Sequence, residues 1–254
     1  MSELFSLKGR IALVTGSGQG IGFALAKGLA QHGAKVVLNG RTAEKIEKAV
    51  AALRREELAV EGSVFDVVDA AAVEADVARI EKEIGAIDIV VNNAGVQFRK
   101  TLEEFPDDKW QELLQTNVTG VFNVGKAAAR RMIARKRGKI INIASVMSEL
   151  ARTTIAPYTT TKGAVRNLTR GMCADWARHG IQINAIAPGF FRTELNTALT
   201  QDPEFTPWLQ KRTPAGRWGE VGELVGAAVF LASDASSFVN GHTLYVDGGL
   251  TTSV

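Results

Sequence analysis

Cysteine appears once in the 254 residues, as Cys173. One thiol excludes an internal disulfide, and its place in the helical pattern VRNLTRGMCADWA suits a small buried filler. Histidine is nearly as scarce. His32, His179 and His242 are scattered with no ligand spacing, so no zinc or other metal site is expected. No apolar run approaches the about 18 residues that a membrane span requires. The opening MSELFSLKGR holds no apolar secretory core. These absences predict a soluble, cytoplasmic protein without a membrane partner. A large charge of one sign is also missing, since the net charge is only +3. The densest basic run is Arg130-Arg131 followed by Arg135-Lys136-Arg137-Gly138-Lys139. It closes a helical pattern at a glycine, where cations complement the helix dipole, so no nucleic-acid partner is expected.

What the chain does have is apolar residues, 46% of the total, against 22% charged. That composition supports a large packed core. Short runs rich in Val and Ile recur: IALVTG (11–16), KVVLNG (35–40), VEGSVFDV (60–67), IDIVVNNAG (87–95), KIINIAS (139–145), IQINAIAPG (181–189) and HTLYVDGG (242–249). Continuous apolar runs of this length suit strands covered on both faces. Segments of helical period separate most of them, which implies right-handed crossovers and a parallel sheet. The expectation is an α/β fold: one doubly wound, seven-stranded parallel sheet with helices on both faces, formed by residues 1–254 as a single unit. Most of the runs end in small polar or glycine-bearing tips, and in such sheets ligands bind beyond the carboxyl ends of the strands.

The first run passes into Thr15-Gly16-Ser17-Gly18-Gln19-Gly20-Ile21-Gly22. Glycines there permit a tight turn and let backbone N–H groups approach a pyrophosphate at a helix N-terminus. The spacing is Gly16-x3-Gly20-x-Gly22, with Ile21 where the common G-x-G-x-x-G fingerprint has its last glycine. The second tip, Asn39-Gly40-Arg41, has no carboxylate to accept ribose hydroxyls. Arg41 offers a guanidinium fork suited to a 2′-phosphate, which favours NADP, with NAD as the weaker alternative. The bland reading is that Arg41 simply starts the next helix in solvent. At the third tip Asp66, beside Val67, is placed to accept from an adenine amino group, or is an ordinary turn carboxylate.

Tyr158 and Lys162 stand four residues apart just after Pro157, so they share one face where a helix begins. A free phenol with a pKa of about 10 is a poor acid-base group, and a nearby ammonium would lower it. Ser145 lies upstream in INIASVMS and Asn117 in LLQTNVTGVF. With TGSGQGIG (15–22), NNAG (92–95) and APGFFRT (187–193), these motifs resemble the short-chain dehydrogenase/reductase family over most of the chain and in the family's order. The resemblance implies a Rossmann fold and a catalytic set of Asn117, Ser145, Tyr158 and Lys162. Tyr158 would move a proton, Ser145 would hold the substrate oxygen, and Lys162 would hold the nicotinamide ribose. Asn117 would keep a water in a proton relay. The cofactor would be lined by Gly16, Ser17, Gln19, Gly20, Ile21, Gly22, Arg41, Asp66, Val67, Asn93, Ala94, Gly95, Tyr158, Lys162, Pro188, Gly189 and Thr193. Gln19 stands where many NADP-using members carry a basic residue, leaving Arg41 as the main phosphate partner.

Within that family, segments such as SGQGIGFALAKGL, FTPWLQKRTPAGRWG and FVNGHTLYVDGG resemble the gluconate 5-dehydrogenase branch. The resemblance implies interconversion of D-gluconate and 5-keto-D-gluconate, a lid at about 190–220, and a homotetramer to which the low-charge segment YVDGGLTTSV contributes. Neighbouring branches act on 2-keto-3-deoxygluconate or on 3-oxoacyl chains of a carrier protein. A non-enzymatic alternative is a dinucleotide-sensing regulator. A sugar acid needs a cation. Arg99 in NNAGVQFRK is the first candidate and Arg152 the second, with Glu149 expected to accept from substrate hydroxyls.

Overall fold

In the computed structural model residues 3–252 are described, so the outermost two residues at each end of the expected 1–254 unit, including the last two of the YVDGGLTTSV segment, lie outside the described residues. In chain order the chain forms β1 (Ile11–Val14), α1 (Gly20–Gln31), β2 (Lys35–Gly40), α2 (Ala43–Arg54), β3 (Val60–Val64), α3 (Ala70–Glu83), β4 (Ile87–Asn92), α4 (Asp107–Leu114), α5 (Gly120–Arg135), β5 (Gly138–Ile143) and α6 (Ala156–Trp176). There follow β6 (Ile181–Pro188), β7 (Phe191–Arg192), α7 (Thr197–Thr200), α8 (Phe205–Arg212), β8 (Gly219–Glu220), α9 (Val225–Ala232) and β9 (Thr243–Val246).

Seven strands make one parallel sheet in the order β3-β2-β1-β4-β5-β6-β9. These are the seven apolar runs, and their composition has a simple cause. Alternate residues of each central strand feed opposite layers. Ala12 and Val14 enter the core on one face with Leu25 of α1, Ile46 of α2 and Ala228 of α9. Leu13 enters the other with Val77 of α3, Val124 of α5 and Val165 of α6. Neither face is wet, so apolar residues occupy both parities of the central strands.

The chain leaves β1 toward β2 and β3, then returns to place β4 on the other side of β1. This reversal opens a crevice at the carboxyl ends of β1 and β4. Two departures from regular structure border it. Between α4 and α5 the helix runs through a π turn, Gln115–Thr119, which carries Asn117. Such single turns are frequent at functional sites. Beyond β6, residues 190–220 leave the sheet and form their own small assembly. The parallel pair β7 and β8 (Phe191 with Gly219, Arg192 with Glu220) closes its base. Phe190, Phe205, Trp208 and Trp218 pack as an aromatic cluster, with ring centroids 5.2–6.4 Å apart.

Candidate active site

The glycine turn is shaped by what lies against it. Gly16 has φ +62°, and a Cβ there would meet the Ala94 Cα at 2.8 Å. A Cβ on Gly22 would collide with the Asn93 amide and the Gly16 carbonyl. The Asn93 amide uses that space to donate to the carbonyls of Thr15 and Gly16, both at 3.0 Å. Thr15 Oγ1 in turn accepts from the N–H groups of Asn93 (3.0 Å) and Ala94 (3.1 Å). The β1 and β4 tips are thus one rigid unit. Thr15 is a part of the site that motif reading overlooked, and its signal was a hydroxyl directly before the first glycine.

Gln19 precedes α1 in extended backbone and gives no side-chain cap, so the first-turn N–H groups of α1 remain available to an anion. Gly20, with φ +59°, faces open space. A dinucleotide diphosphate fits these residues. Ser17 does not behave as expected. It is 0% exposed, and its hydroxyl donates to Val14 O (2.8 Å) while accepting from Asn39 N (3.0 Å). Its side chain ties β1 to β2 and has nothing left for a ligand. The Val67 side chain is likewise buried, packed where a Cβ on Gly120 would stand. Arg41 and Asp66 are exposed at the outer end and form an ion pair at 3.7 Å. The two groups expected to serve different parts of the nucleotide therefore face each other at one place.

Tyr158 lies in the first turn of α6, with Pro157 at the helix start. The Ser145 hydroxyl is placed to act on its phenol, and both side chains line the same cleft. Burial pushes the phenol up, and the Ser145 hydroxyl pulls it back down. The Ser145 hydroxyl also accepts from Met147 N at 3.1 Å, which fixes its rotamer. Lys162 Nζ donates to the Ile143 carbonyl at 2.7 Å and lies 5.6 Å from the Tyr158 ring centroid. Burial pulls Lys162 down to about 8. In the protein alone, the lysine expected to lower the tyrosine is itself held low by desolvation.

Asn117 is 1% exposed, and its amide is fully engaged. Oδ1 accepts from Val96 N (2.8 Å), while Nδ2 donates to Val96 O (2.9 Å) and to Thr161 Oγ1 (3.1 Å). Thr161 Oγ1 donates to the Tyr158 carbonyl at 2.8 Å. The side chain therefore clamps the residue after Gly95 to the turn that carries Tyr158. Ser148 adds a second tie, donating to Lys162 O at 2.9 Å. Neither Thr161 nor Ser148 was foreseen, because their partners are distant in sequence.

These elements enclose a cleft of about 300 Å3 lined by Gly16, Gln19, Gly20, Ile21, Gly22, Asn93, Gly95, Ser145, Tyr158, Lys162, Pro188, Gly189 and Thr193. Arg99 and Arg152 line it too, with Val96, Gln97, Met147, Phe190, Glu194 and Asn196, to which the sequence had assigned no role. Burial lowers both guanidinium pKa values, and the Arg99 charge lowers that of Arg152 further. Glu149 is a correction. It is absent from the lining, and its Oε1 is bound instead to Arg166 (2.6 Å) and the Tyr245 hydroxyl (3.0 Å). Among the described residues no three His, Cys, Asp or Glu side chains gather to hold a metal ion, and no helix is long and apolar enough to cross a membrane.

A family model described as enoyl-(acyl carrier protein) reductase matches residues 16–251. The gluconate 5-dehydrogenase of Gluconobacter oxydans is 62% identical over 99% of this chain and 98% of its own. The 5-keto-D-gluconate 5-reductase of Escherichia coli is 54% identical over the full length of both. A crystal structure of a gluconate 5-dehydrogenase from Burkholderia cenocepacia, in complex with NADP and tartrate, superposes with a TM-score of 0.97 at 60% identity, covering 99% of each chain. With the seven-stranded sheet, the glycine turn and the Ser145–Tyr158–Lys162 arrangement, these likenesses establish that the chain belongs to the short-chain dehydrogenase/reductase family.

Proposed function

We propose that this chain is an NADP(H)-dependent oxidoreductase that interconverts D-gluconate and 5-keto-D-gluconate. One observation carries the reading. The cleft that holds the Ser145–Tyr158 pair also holds two arginines, Arg99 and Arg152, that form no ion pair or hydrogen bond among the described residues. A hydroxy acid supplies what both groups lack: an alcohol for the pair and a carboxylate for the guanidiniums.

NADP+, held at the glycine turn, would supply the hydride acceptor for C5 of the acid. The Tyr158 phenolate accepts the proton of the C5 hydroxyl, and in the reverse direction the phenol returns it to the ketone oxygen. Ser145 donates to that oxygen as its charge grows. Lys162 spends one N–H on Ile143 O and has two further donors for a ribose. The two arginines orient the acid end, so that C5 rather than another carbinol meets Tyr158. The 190–220 segment serves as the lid. The structures and proteins similar to this chain act on gluconate or carry NADP by name, which supports the same reading here. A homotetramer in the cytoplasm completes the proposal.

The deciding assay is a panel of D-gluconate, 5-keto-D-gluconate, 2-keto-3-deoxygluconate and uncharged polyols with each nicotinamide cofactor. Gluconate with NADP+ should give the highest kcat/KM. Efficient turnover of 2-keto-3-deoxygluconate without any of 5-ketogluconate would overturn the substrate. A monomer in light scattering at micromolar concentration would overturn the assembly.

A further inference from the structure

Arg152 does more than line the cleft. Its guanidinium carbon lies 4.9 Å from the centroid of the Phe205 ring, at the start of α8 in the 190–220 segment. Phe205 in turn packs on Phe190 (5.4 Å), Trp208 (5.2 Å) and Trp218 (5.9 Å). Phe190 lines the cleft directly. One side chain thus joins the cleft to the aromatic cluster that organises the segment above it.

The loop that carries Arg152 is held in an unusual way. Thr154, a β-branched residue, has φ +68°, in the left-handed region that such side chains rarely adopt. Its carbonyl accepts from Lys100 N at 3.0 Å. That bond joins the residue after Arg99 to the residue two beyond Arg152. The two arginines are therefore set at the ends of one backbone cross-link, at the cost of local strain. Like charges fixed in this way repel each other in the empty cleft, and each is partly stripped of water without gaining an acid.

We propose that Arg152 is a binding and positioning residue that reads the substrate's carboxylate jointly with Arg99 and, through its stack on Phe205, couples that charge to the position of the lid. The inference rests on the acid-substrate reading above. Its physics is differential binding. A carboxylate between the two guanidiniums removes their repulsion and holds the Arg152 plane against Phe205. An uncharged polyol leaves the repulsion in place and gives the lid no reason to move. Cation–π attraction also strengthens as the cation is desolvated, so closure and charge neutralisation reinforce each other. Selection for an acid would then arise from lid closure as well as from ground-state affinity.

The test is a double-mutant cycle on kcat/KM for gluconate, using Arg152→Gln, Phe205→Leu and the pair. It is read beside the emission of Trp208 and Trp218 in a Tyr158→Phe background with NADP+, where turnover is stopped. Arg152→Gln should lower kcat/KM about 30-fold, mainly through KM, and Phe205→Leu about 5-fold. The pair should be no worse than Arg152→Gln within about 2-fold, because the two changes break one coupling. Arg152→Lys keeps the charge without the planar face, so it should recover part of KM and none of the emission change. Gluconate should shift the lid emission and sorbitol should not, and either single change should abolish the shift. Losses that multiply in the pair, or a gluconate shift that survives Arg152→Gln, overturn the coupling while leaving the substrate reading intact. If the unaltered protein does not oxidise gluconate but an Arg152-dependent shift is seen, the coupling stands and the substrate reading falls. No shift with gluconate and no oxidation overturn both.

Discussion

Asn117 and Val96 are joined by a reciprocal pair of hydrogen bonds: the amide oxygen takes the Val96 N–H at 2.8 Å, and the amide nitrogen gives to the Val96 carbonyl at 2.9 Å. The pairing imitates one rung of a sheet ladder, made by a side chain from a π turn. Asn117→Ala would orphan both Val96 backbone groups and remove the donor that the Thr161 hydroxyl accepts from. We expect a loss of about 2–4 kcal/mol in urea unfolding, together with a fall in kcat of about 100-fold as the Tyr158 turn loosens. Unchanged stability with lost activity would show that the side chain acts on the chemistry alone.

Tyr158→Phe removes the transferable proton and leaves the ring. Turnover should fall by several powers of ten, while NADPH binding measured by fluorescence is retained. In the unaltered protein, oxidation needs the phenolate and reduction needs the phenol. With burial pushing the phenol up, kcat/KM for gluconate should rise with pH through the neutral range and above. Near-normal turnover in the variant would remove Tyr158 from its role.

Lys162 gives a stability signature of known sign. Burial holds it at about 8 in the fold, against 10.5 when unburied. Between these values the unfolded chain carries a proton that the folded one has released, so this group makes stability rise with pH across that window. Below it both states are charged and the group's burial cost is constant. The stability gap between the protein and Lys162→Met should therefore change by up to about 1.4 kcal/mol per pH unit from pH 8 to 10, and stay flat from pH 6 to 7. A gap flat throughout would show an unshifted lysine.

The proposed NADP preference is tested at the β2 tip. Gly40→Asp with Arg41→Ile adds a carboxylate and deletes the guanidinium, so the ratio of kcat/KM for NADP+ over NAD+ should fall by about 100-fold or more. A Cβ at Gly40 would stand 3.0 Å from Ile46 Cδ1, a flexible end that can yield, so the fold should tolerate the change. An unaltered protein that already prefers NAD+ would refute the assignment of Arg41.

Arg99→Ala should lose about 2–4 kcal/mol of transition-state binding for the acid, read from kcat/KM. An uncharged ketone of similar size should lose far less. Equal losses would mean that Arg99 supports the loop rather than the ligand.

The sheet was legible because its strands are buried on both faces, so seven apolar runs could be read without knowing their order. Tyr158 and Lys162 were legible because helical spacing alone puts them on one face. For Ser17 and Val67 the motif gave position but not direction, since burial of a hydroxyl or an isopropyl group depends on the neighbouring strand or helix. Glu149 was misread for a related reason: Arg166 and Tyr245 claim it from elements far along the chain. The π turn left no trace beyond an asparagine inside a helical pattern, since an i+5 bond and an i+4 bond draw on the same residue types.

The pairing of β7 with β8 has a consequence for how this protein can be remade. Phe191 faces Gly219 and Arg192 faces Glu220, so the chain departs from the body and rejoins it at one short ribbon, and Ala215 N adds a second tie to Gly248 O at 2.9 Å. Residues 193 to 218 are held by the ribbon and by the Gly248 contact as a cassette, while Ser145, Tyr158, Lys162 and the glycine turn belong to the body beneath it. A foreign cassette would need to match only the two-residue ribbon and the faces it packs against, and Arg152 would meet whatever side chain replaced Phe205. Transplanting the segment would therefore change what covers the cleft, while Arg99, Arg152 and the proton-transfer machinery stay in the body.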